Sequence, residues 1–376
     1  MVAPTATLSA RRLRKILSPM IEEAVENSEA DRYRKSFSAS SHVWMLLLHT
    51  MSANDSLRQS HAQQASDAPL RRRLRMEESF VSFSQLARSS SSRDPECFER
   101  LFASLVKKAK SRRATRGGSL AALLAKTAAL DSTFFSLSEK LSPWSRHKSH
   151  DPRVGLQTEL DLSRMVPAKL RLTTVETNDR RAMGEWPLED LRGWTVVFDL
   201  GYYAHKHFER LQNNGVSFLT RLQSQAHYEI VSERPSSVGE KTPEGDLVLS
   251  EESITLGSPN NRSGAVLQNI RLVVSQTPKG KVHRLITNRH DLRAWEVVAL
   301  YRKRWQIELF FRWMKRQLRT LNAFGRSREA MWRTMLVGAI VAVVAMLSEE
   351  SRPEGTTRVS WLRALCASFT LLRLSG

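Results

Sequence analysis

The hydrophobic pattern of this chain changes near residue 120. Before that point, segments such as LRKILSPMIEEAVENS (13–28) and CFERLFASLVKKAKS (97–111) repeat apolar residues every three or four positions, which is typical of amphipathic helices. After it, short runs rich in β-branched and aromatic residues predict strands, and 204–215 predicts a helix that ends at a glycine. The predicted strands are 128–137, 154–163, 169–177, 194–203 and 217–222.

The composition of the later segments suggests how the α/β part is divided. Residues 107–119 are basic and predict a hinge, whereas 224–287 are rich in Ser, Gly and Pro with short alternating runs, which predicts a β-rich insertion. A long helix is predicted from LRAWEVVALY through MKRQL (292–318). We therefore expect an α/β protein with a helical amino-terminal domain at 1–115, a core at 120–223 and 288–350, an insertion at 224–287 and a short helical segment at 351–376.

Two further segments have distinctive compositions. MLVGAIVAVVAML (335–347) is apolar throughout but has only 13 residues, whereas a helix that crosses a membrane needs about 20. We therefore expect it to be a buried helix and expect no membrane association. The serine-rich LARSSSSRDPECF (86–98) predicts a loop.

The charge of the chain points to a polyanionic partner. Lys and Arg number 58 against 38 Asp and Glu, which gives a formal net charge of +20, and the excess is spread along the sequence. Nucleic acid is the first expectation, and an acidic membrane surface or a ribosome is the second. Two distant cysteines, Cys97 and Cys366, and an amino terminus without a long apolar region fit a reducing cytoplasm without a disulfide framework.

Two aspartates stand in or at the end of predicted strands. Asp131 lies within ALDSTFF and Asp199 ends TVVFD. A carboxylate buried in a central strand is costly unless it is paired, hydrogen-bonded or bound to a cation. The simpler alternative for each is a strand-end aspartate that caps the next turn.

The segment YRKRWQIELFFRWMKRQL (301–318) contains a single acid, Glu308, among six Lys and Arg residues. On a continuous helix with 100° per residue, Tyr301, Arg304, Glu308 and Lys315 fall within an arc of about 60°. Arg312 and Arg319 extend the same stripe. Arg304, Glu308 and Arg312 could be ordinary surface ion pairs at i,i+4 spacing. Alternatively, Glu308 binds a metal together with the two aspartates, and the basic residues hold phosphates.

At this point the chain resembles the DDE transposases of the insertion-sequence-4 family. The resemblance rests on Asp131 in DST, Asp199 in DLGY and the spacing Y-x2-R-x3-E-x6-K, which matches the YREK signature of that family. TNRHDL (287–292) and SFSQLAR (82–88) are also similar. The resemblance runs from about residue 30 to about residue 350.

The resemblance implies a ribonuclease-H-like catalytic core interrupted by a β-rich insertion, and a helical amino-terminal domain that binds the DNA ends. Asp131, Asp199 and Glu308 would be catalytic and would hold two Mg²⁺ or Mn²⁺ ions. Double-stranded DNA, as transposon ends and target, would be the substrate, with a homodimer in the synaptic complex. The residues implied to bind DNA, together with two neighbours on the predicted stripe, are Tyr301, Arg304, Arg312, Lys315 and Arg319.

Two departures from the family pattern stand out. Hairpin-forming relatives carry a tryptophan shortly before the strand that matches LITN, but this chain has His283 there, and Trp295 lies beyond the strand. Base flipping generally needs a stacking partner, so a hairpin intermediate is not expected on this pattern. Few residues follow Lys315, so a long carboxy-terminal dimerisation domain does not fit.

Other interpretations remain open from the sequence. One is a ribonuclease-H-like nuclease or resolvase that only hydrolyses DNA, and another is an inactive DNA-binding relic of a transposase. A zinc site built from Cys97, His147, His150, His205 or His207 is disfavoured, and the histidines are expected to be exposed to solvent. Trp305 and Trp313 are expected to be core anchors.

Overall fold

The structure is a computed structural model. It describes residues 4–32, 36–52, 54, 56–76, 80–112, 119–136, 152–174, 176–234, 238–258, 265–317 and 327–371. The chain divides into two compact units. The first comprises Met1–Arg113, Phe135–Arg153 and Phe311–Gly376, and the second comprises Ala114–Phe134 and Val154–Phe310.

The helices and strands follow one another in this order: α1 (Pro4–Glu26), α2 (Ala39–Met51), α3 (Leu57–Ser66), α4 (Ala68–Arg73), α5 (Phe83–Ser92), α6 (Glu96–Ser111), α7 (Ser119–Leu124), β1 (Thr127–Ser136), β2 (Arg153–Asp161), β3 (Val166–Thr173), α8 (Asp179–Gly184), β4 (Thr195–Val197), α9 (His205–Asn213), β5 (Ser217–Arg221), β6 (Tyr228–Glu233), β7 (Leu247–Leu256), β8 (Leu267–Gln276), β9 (Val282–Thr287), α10 (Ala294–Arg302), α11 (Trp305–Gln317), α12 (Arg328–Leu347) and α13 (Arg358–Leu371).

The first unit is helical and contains helices from both the amino-terminal and the carboxy-terminal parts of the chain. Helix α12 packs against α2, α5 and α6, and α13 packs against α1. The Arg333 side chain of α12 is fully buried. Its guanidinium donates to the carbonyl oxygens of Ser90 and Arg93 and lies 5.5 Å from the centre of the Phe98 ring. These contacts fix α12 against the junction between α5 and α6.

The apolar segment 335–347 belongs to α12, which begins at Arg328. This helix is long and apolar enough to cross a membrane, but 83% of its most apolar window is buried inside the protein. The prediction of a buried helix is confirmed, with a longer helix than the apolar run alone indicated. The helix begins where the Ser327 hydroxyl accepts a hydrogen bond from the backbone N–H of Ala330.

The predicted loop at 86–98 is wrong over most of its length. Helix α5 continues through the serines to Ser92, and α6 begins at Glu96. Serine has only modest helix propensity, but Leu86 and Ser90 are buried on the inner face of α5, and this packing outweighs the local preference. The Ser90 carbonyl oxygen also accepts a bond from Arg333.

In the described residues, the second unit contains a nine-stranded sheet with the order β3-β2-β1-β4-β5-β9-β8-β7-β6. Strand β4 pairs in parallel with β1 and with β5. Strands β2 and β3 pair antiparallel, and so do β5 with β9, β9 with β8, β8 with β7 and β7 with β6. The five strands predicted before residue 223 are confirmed, although β4 is short. Strands β6–β9, from the region predicted to be β-rich, continue the same sheet through the pairing of β9 with β5.

Buried aromatic residues hold α9 against the centre of this sheet. Phe208 of α9 stacks on Phe218 of β5 with ring centres 4.7 Å apart, and it also stacks on Phe198, which follows β4, at 6.0 Å. All three side chains are fully buried. Their packing fixes the segment after β4, which carries Asp199.

Candidate active site

Strand pairing brings the two aspartates together. Strand β1 runs parallel to β4 with Ala129 opposite Val197. Extending that register by two residues places Asp131, in the middle of β1, opposite Asp199, which follows the carboxyl end of β4. Asp131 is largely buried, with a side chain that is 14% exposed, and one of its oxygens accepts a bond of 2.8 Å from the backbone N–H of Ser132.

Asp199 also has a local structural role. Its Oδ1 accepts a bond of 2.8 Å from the Gly201 N–H and caps the 3-10 turn Leu200–Tyr202. The capping interpretation considered from the sequence is therefore correct for this oxygen. A cap uses one carboxylate oxygen, so capping is compatible with a second role of the same side chain in the cluster of acids.

The long helix predicted over 292–318 is interrupted at Lys303 and Arg304. Four hydrogen bonds of the i→i−3 type join α10 to α11. They are donated by the backbone N–H groups of Lys303, Arg304, Gln306 and Ile307. Residues three apart nearly eclipse in such a tight turn, so Tyr301 and Arg304 are aligned more closely than on a regular helix. The predicted continuous helix is wrong at this point.

The Arg304 guanidinium links two of the three acids. Its Nη2 lies 2.6 Å from Glu308 Oε1, and its Nη1 lies 3.6 Å from Asp131 Oδ2. Arg304 is only 15% exposed, and Glu308 is 31% exposed. The Arg304–Glu308 pair is thus an i,i+4 pair, but it is set against a buried strand acid and is not an ordinary surface pair.

Burial is the largest influence on the Asp131 carboxyl and raises its pKa to about 7. The negative charges of Asp199 and Asp179 raise this pKa further, while the Ser132 N–H and the Arg304 charge oppose the rise. A carboxyl whose negative form is destabilised in this way gains from a nearby cation. The electrostatics therefore favour a positive ligand beside Asp131.

Sequence reasoning missed a fourth acid, Asp179, at the start of α8. Its Oδ1 accepts bonds from Ser132 Oγ at 2.6 Å and from Gln157 Nε2 at 3.3 Å. A Cβ atom on Gly201 would lie 2.7 Å from Asp179 Oδ2 and 3.0 Å from Asp199 Oδ1, so the two carboxylates flank this glycine closely. In the sequence, Asp179 follows Asn178 at the start of a helix, where an acid is common. The neighbouring residues therefore give no sign that Asp179 lies beside the other acids.

A second polar layer supports these acids from below. The Tyr202 hydroxyl donates a bond of 2.6 Å to Gln157 Oε1, and burial is the main cause that raises the pKa of this tyrosine. Gln157 in turn donates to Asp179. Side chains from β2, α8 and the turn after β4 therefore form one hydrogen-bonded network beneath the acids.

Tyr301 and Arg304 line a basic cleft of about 490 Å³ in the second unit. Tyr301 is half-buried, and burial raises its pKa. The cleft is also lined by Lys279, Lys281, His283, Arg302 and Trp305. Arg302 pairs with Asp246 at 2.7 Å. Trp305 is 48% exposed, so the expectation of a core anchor is wrong, because it lies at the start of α11 on the open side.

The remaining predicted DNA-binding residues lie further along α11. Lys315 is placed with its Nζ 5.6 Å from the centre of the Phe135 ring, and burial lowers its pKa. Arg312 is exposed to solvent. Arg319 lies outside the described residues.

The described residues contain no group of three or more His, Cys, Asp or Glu side chains close enough to form a ready-made metal site. Asp131, Asp199 and Glu308 nevertheless supply the hard oxygen donors that Mg²⁺ and Mn²⁺ prefer. Arg304 contacts Asp131 and Glu308 directly and offsets their negative charge. By donor type and charge, the residues fit divalent cations.

The histidines considered for zinc are placed differently from the expectation. His205 and His207 are buried, at 9% and 3% exposure, rather than exposed to solvent. Both belong to the first two turns of α9, which packs on the sheet through Phe208. Cys97 is buried in the first unit, and His147 and His150 lie outside the described residues.

Asp131 of β1 and Asp199 after β4 therefore lie opposite each other, and Arg304 joins Asp131 to Glu308 of α11. Residues 124–344, more than half of the chain, match the transposase DDE domain family. The chain belongs to this family.

Individual relatives carry transposase names. The y4zB protein of Sinorhizobium fredii is 26% identical over 228 residues, covering 60% of this chain and 62% of the relative. The transposase named for insertion sequence element IS5377 of Geobacillus stearothermophilus is 24% identical over 236 residues, covering 62% of this chain and 59% of the relative. This chain thus spans about three fifths of the length of these two relatives.

A longer match is to the transposase named for insertion sequence element IS4SA of Synechocystis, which is 23% identical over 305 residues and covers 81% of this chain and 82% of the relative. Among solved structures, the piggyBac transposase synaptic complex with hairpin DNA has a TM-score of 0.47 and 11% identity over 95% of this chain and 80% of that chain.

Proposed function

We propose that this protein cleaves one DNA strand at the ends of an insertion sequence and transfers the freed end to target DNA. The observation that carries the proposal is the position of Asp131, on β1, opposite Asp199, just after the parallel strand β4, with Arg304 joining Asp131 to Glu308. Membership in the transposase DDE domain family supports it.

The three acids would hold two divalent cations, Mg²⁺ or Mn²⁺. Two such ions, when bound, activate the attacking oxygen and stabilise the leaving oxygen of an in-line phosphoryl displacement. The carboxylates position that chemistry, and Asp179, Ser132 and Gln157 hold the acids in place through the contacts described above. In the first reaction, a P–O bond to water forms, the P–O3′ bond breaks, and a 3′-hydroxyl is left.

The basic residues of α10 and α11 would hold the DNA. Arg304 and Tyr301 lie beside the acids and can contact phosphates next to the scissile bond, because a guanidinium binds phosphate with two hydrogen bonds. Lys315, Arg312 and Arg319 would contact phosphates further along the strand.

The finer assignment is an insertion-sequence-4 transposase with the YREK signature and a ribonuclease-H-like core. The strand order β3-β2-β1-β4-β5, with parallel β1, β4 and β5 and antiparallel β2 and β3, supports this core. The amino-terminal helices would recognise the DNA ends, and two copies would pair the ends. Light scattering with end-containing DNA should give the mass of two chains and two duplexes, and one chain on one duplex would contradict the dimer.

The proposed activity is tested with the purified protein, Mg²⁺ and a labelled duplex that carries the terminal repeats flanking its own gene. The products are resolved on a denaturing gel beside Asp131→Asn and the exposed control Glu229→Gln. Nicking followed by joined, longer strands, lost only in Asp131→Asn, is the expected result. Cleavage without joining would instead indicate a nuclease, and binding without cleavage would indicate an inactive relic.

A further inference from the structure

A second cleft, of about 920 Å³, opens beside α8 and the start of α9 in the second unit. Its walls carry three exposed cationic side chains, Arg180, Arg181 and Lys206. The acid in its lining is Glu185, which accepts hydrogen bonds from Arg171 at 2.5 Å and from Arg181 at 3.2 Å. The cleft is therefore positively charged, and its one acid is already neutralised.

Two of these cations have no carboxylate partner among the described residues. Arg180 and Lys206 take part in none of the ion pairs found in this part of the chain, whereas the neighbouring Arg181 is held by Glu185. A cation that is exposed in a concave surface and unpaired within the protein is available to an anionic ligand. The phosphate backbone of DNA is the ligand with the matching charge.

Buried polar atoms in the same walls also lack partners. The Tyr203 hydroxyl, His205 Nδ1 and His207 Nε2 make no hydrogen bond in the described structure, although their side chains are 4%, 9% and 3% exposed. Buried polar atoms are nearly always satisfied by protein, water or ligand. These atoms have almost no accessible surface, so they lie behind the wall of the cleft and do not contact a ligand in it. His207 also bonds to the Arg180 backbone, which fixes α8 against α9.

The cleft adjoins the cluster of acids through two chain segments. Asp179 contacts Ser132 next to Asp131, and the following residue, Arg180, lines the cleft. Tyr202 belongs to the network under the acids, and the following residue, Tyr203, lines the cleft. Arg304, by contrast, reaches Asp131 from α10 and α11. The residues that follow Asp179 and Tyr202 in the chain therefore bring the cleft next to the acids.

We propose that this cleft binds the phosphate backbone of duplex DNA on the α8 side of the scissile phosphate, through Arg180, Arg181 and Lys206. The inference rests on the proposed function, because it places the DNA relative to the acids. It adds a DNA contact that the 301–319 segment does not supply.

The test uses the full chain and a fluorescein-labelled 30-base-pair duplex of unrelated sequence. Anisotropy gives the dissociation constant at several KCl concentrations for the parent, for Arg180→Gln/Lys206→Gln and for Lys169→Gln/Arg192→Gln. The last variant removes the same charge from the same unit outside the cleft, at β3 and before β4. Circular dichroism checks that all three proteins are folded.

We expect the slope of log K against log[KCl] to become shallower by about 1.8 in the cleft variant, since each phosphate contact contributes about 0.9. The control variant should change it much less. Equal slopes in the cleft variant and the parent, or equal changes in the two variants, would overturn the proposal. The anisotropy assay measures binding and does not depend on cleavage. A parent protein that binds DNA but never cleaves it would therefore contradict the proposed function without deciding whether the cleft binds DNA.

Discussion

Arg304 Nη1 lies 3.6 Å from Asp131 Oδ2. The same guanidinium is bonded to Glu308, so one cation joins a strand acid and a helix acid that are far apart in the sequence. The negative charges of Asp131 and Glu308 repel each other, and the Arg304 cation that contacts both offsets this repulsion. The arrangement explains why a single acid stands among the basic residues of 301–318. The turn before α11 carries Arg304, and through this guanidinium Glu308 of α11 is connected to Asp131.

Removing the Glu308 carboxylate should abolish cleavage but leave DNA binding intact. In Glu308→Gln, the side chain keeps its size and can no longer hold a cation as a carboxylate does. We expect the nicking rate with Mg²⁺ to fall more than about 100-fold, because the loss of outer contacts to a metal ligand alone costs 10–100-fold. Affinity for end-containing DNA is measured in parallel. Nicking at the parent rate would show that Glu308 is not one of the catalytic acids.

A methyl group on Gly201 should disturb the acids with little effect on the fold. In Gly201→Ala, the new Cβ would approach Asp179 Oδ2 to 2.7 Å and Asp199 Oδ1 to 3.0 Å, so at least one carboxylate must shift. Because a misplacement of 1 Å can cost about 100-fold in rate, we expect nicking to fall by about 10- to 100-fold. The thermal midpoint should change by only a few degrees. An unchanged nicking rate would place Asp179 and Asp199 outside the reacting site.

Removing Lys315 should weaken DNA binding in a salt-dependent manner. In Lys315→Ala, loss of one phosphate contact should make the slope of log K against log[KCl] shallower by about 0.9. The cation–π contact with Phe135 is worth only about 0.5–1 kcal/mol at an exposed site, so the fold should persist. Lys169→Ala, a strand lysine paired with Asp190, serves as the control. A parent-like slope in Lys315→Ala would indicate a lysine that only faces solvent.

The buried guanidinium of Arg333 should be a main contributor to the stability of the first unit. Arg333→Leu leaves the carbonyl oxygens of Ser90 and Arg93 without their donor inside the core. Hydrogen bonds to charged groups contribute about 1.5–3 kcal/mol, so we expect a loss of about 3 kcal/mol in the free energy of unfolding by urea. Arg328→Leu, an exposed residue on the same helix, should change it by less than about 0.5 kcal/mol. Equal effects of the two substitutions would contradict the prediction.

The stability of the first unit should fall in mild acid because of His42. Burial, with Arg333 and Arg93 nearby, lowers the pKa of His42 well below 6.5, while its Nε2 lies 2.9 Å from Ser90 Oγ. The unfolded chain therefore binds a proton near pH 6.5 that the folded chain does not bind. The contribution of His42 to the free energy of unfolding should be constant above pH 7 and should decrease by up to about 1.4 kcal/mol per pH unit below 6.5.

Urea unfolding of the parent and of His42→Gln between pH 5 and 8 measures this contribution. The variant should lose stability less steeply below pH 6.5, since it lacks the titrating ring. Ser90→Ala removes the hydroxyl partner but keeps the ring, so it should be less stable by a similar amount at every pH and should retain the parent slope. Identical slopes in the parent and His42→Gln would show that His42 does not titrate between the two states.

Local patterns were sufficient for much of the fold and for the named acids. The three- and four-residue repeat of apolar residues predicted the amino-terminal helices, and β-branched runs predicted β1–β5, because these periodicities reflect which side of an element is buried. Asp131 and Asp199 were recognisable because an acid in an apolar strand needs a compensating partner. The spacing from Tyr301 to Lys315 identified the helix that supplies Glu308.

Tertiary contacts decided the remaining features, because they depend on residues that are distant in the sequence. The tight turn at Lys303 and Arg304 carries no proline or glycine, and the guanidinium within it meets a strand more than 170 residues earlier. Asp179 joined the acids only when β1, α8 and the turn after β4 came together. The serines of α5 became helical because Arg333, from the other end of the chain, binds the Ser90 carbonyl. A sequence pattern records which residues prefer burial, whereas only the folded chain determines which of them meet.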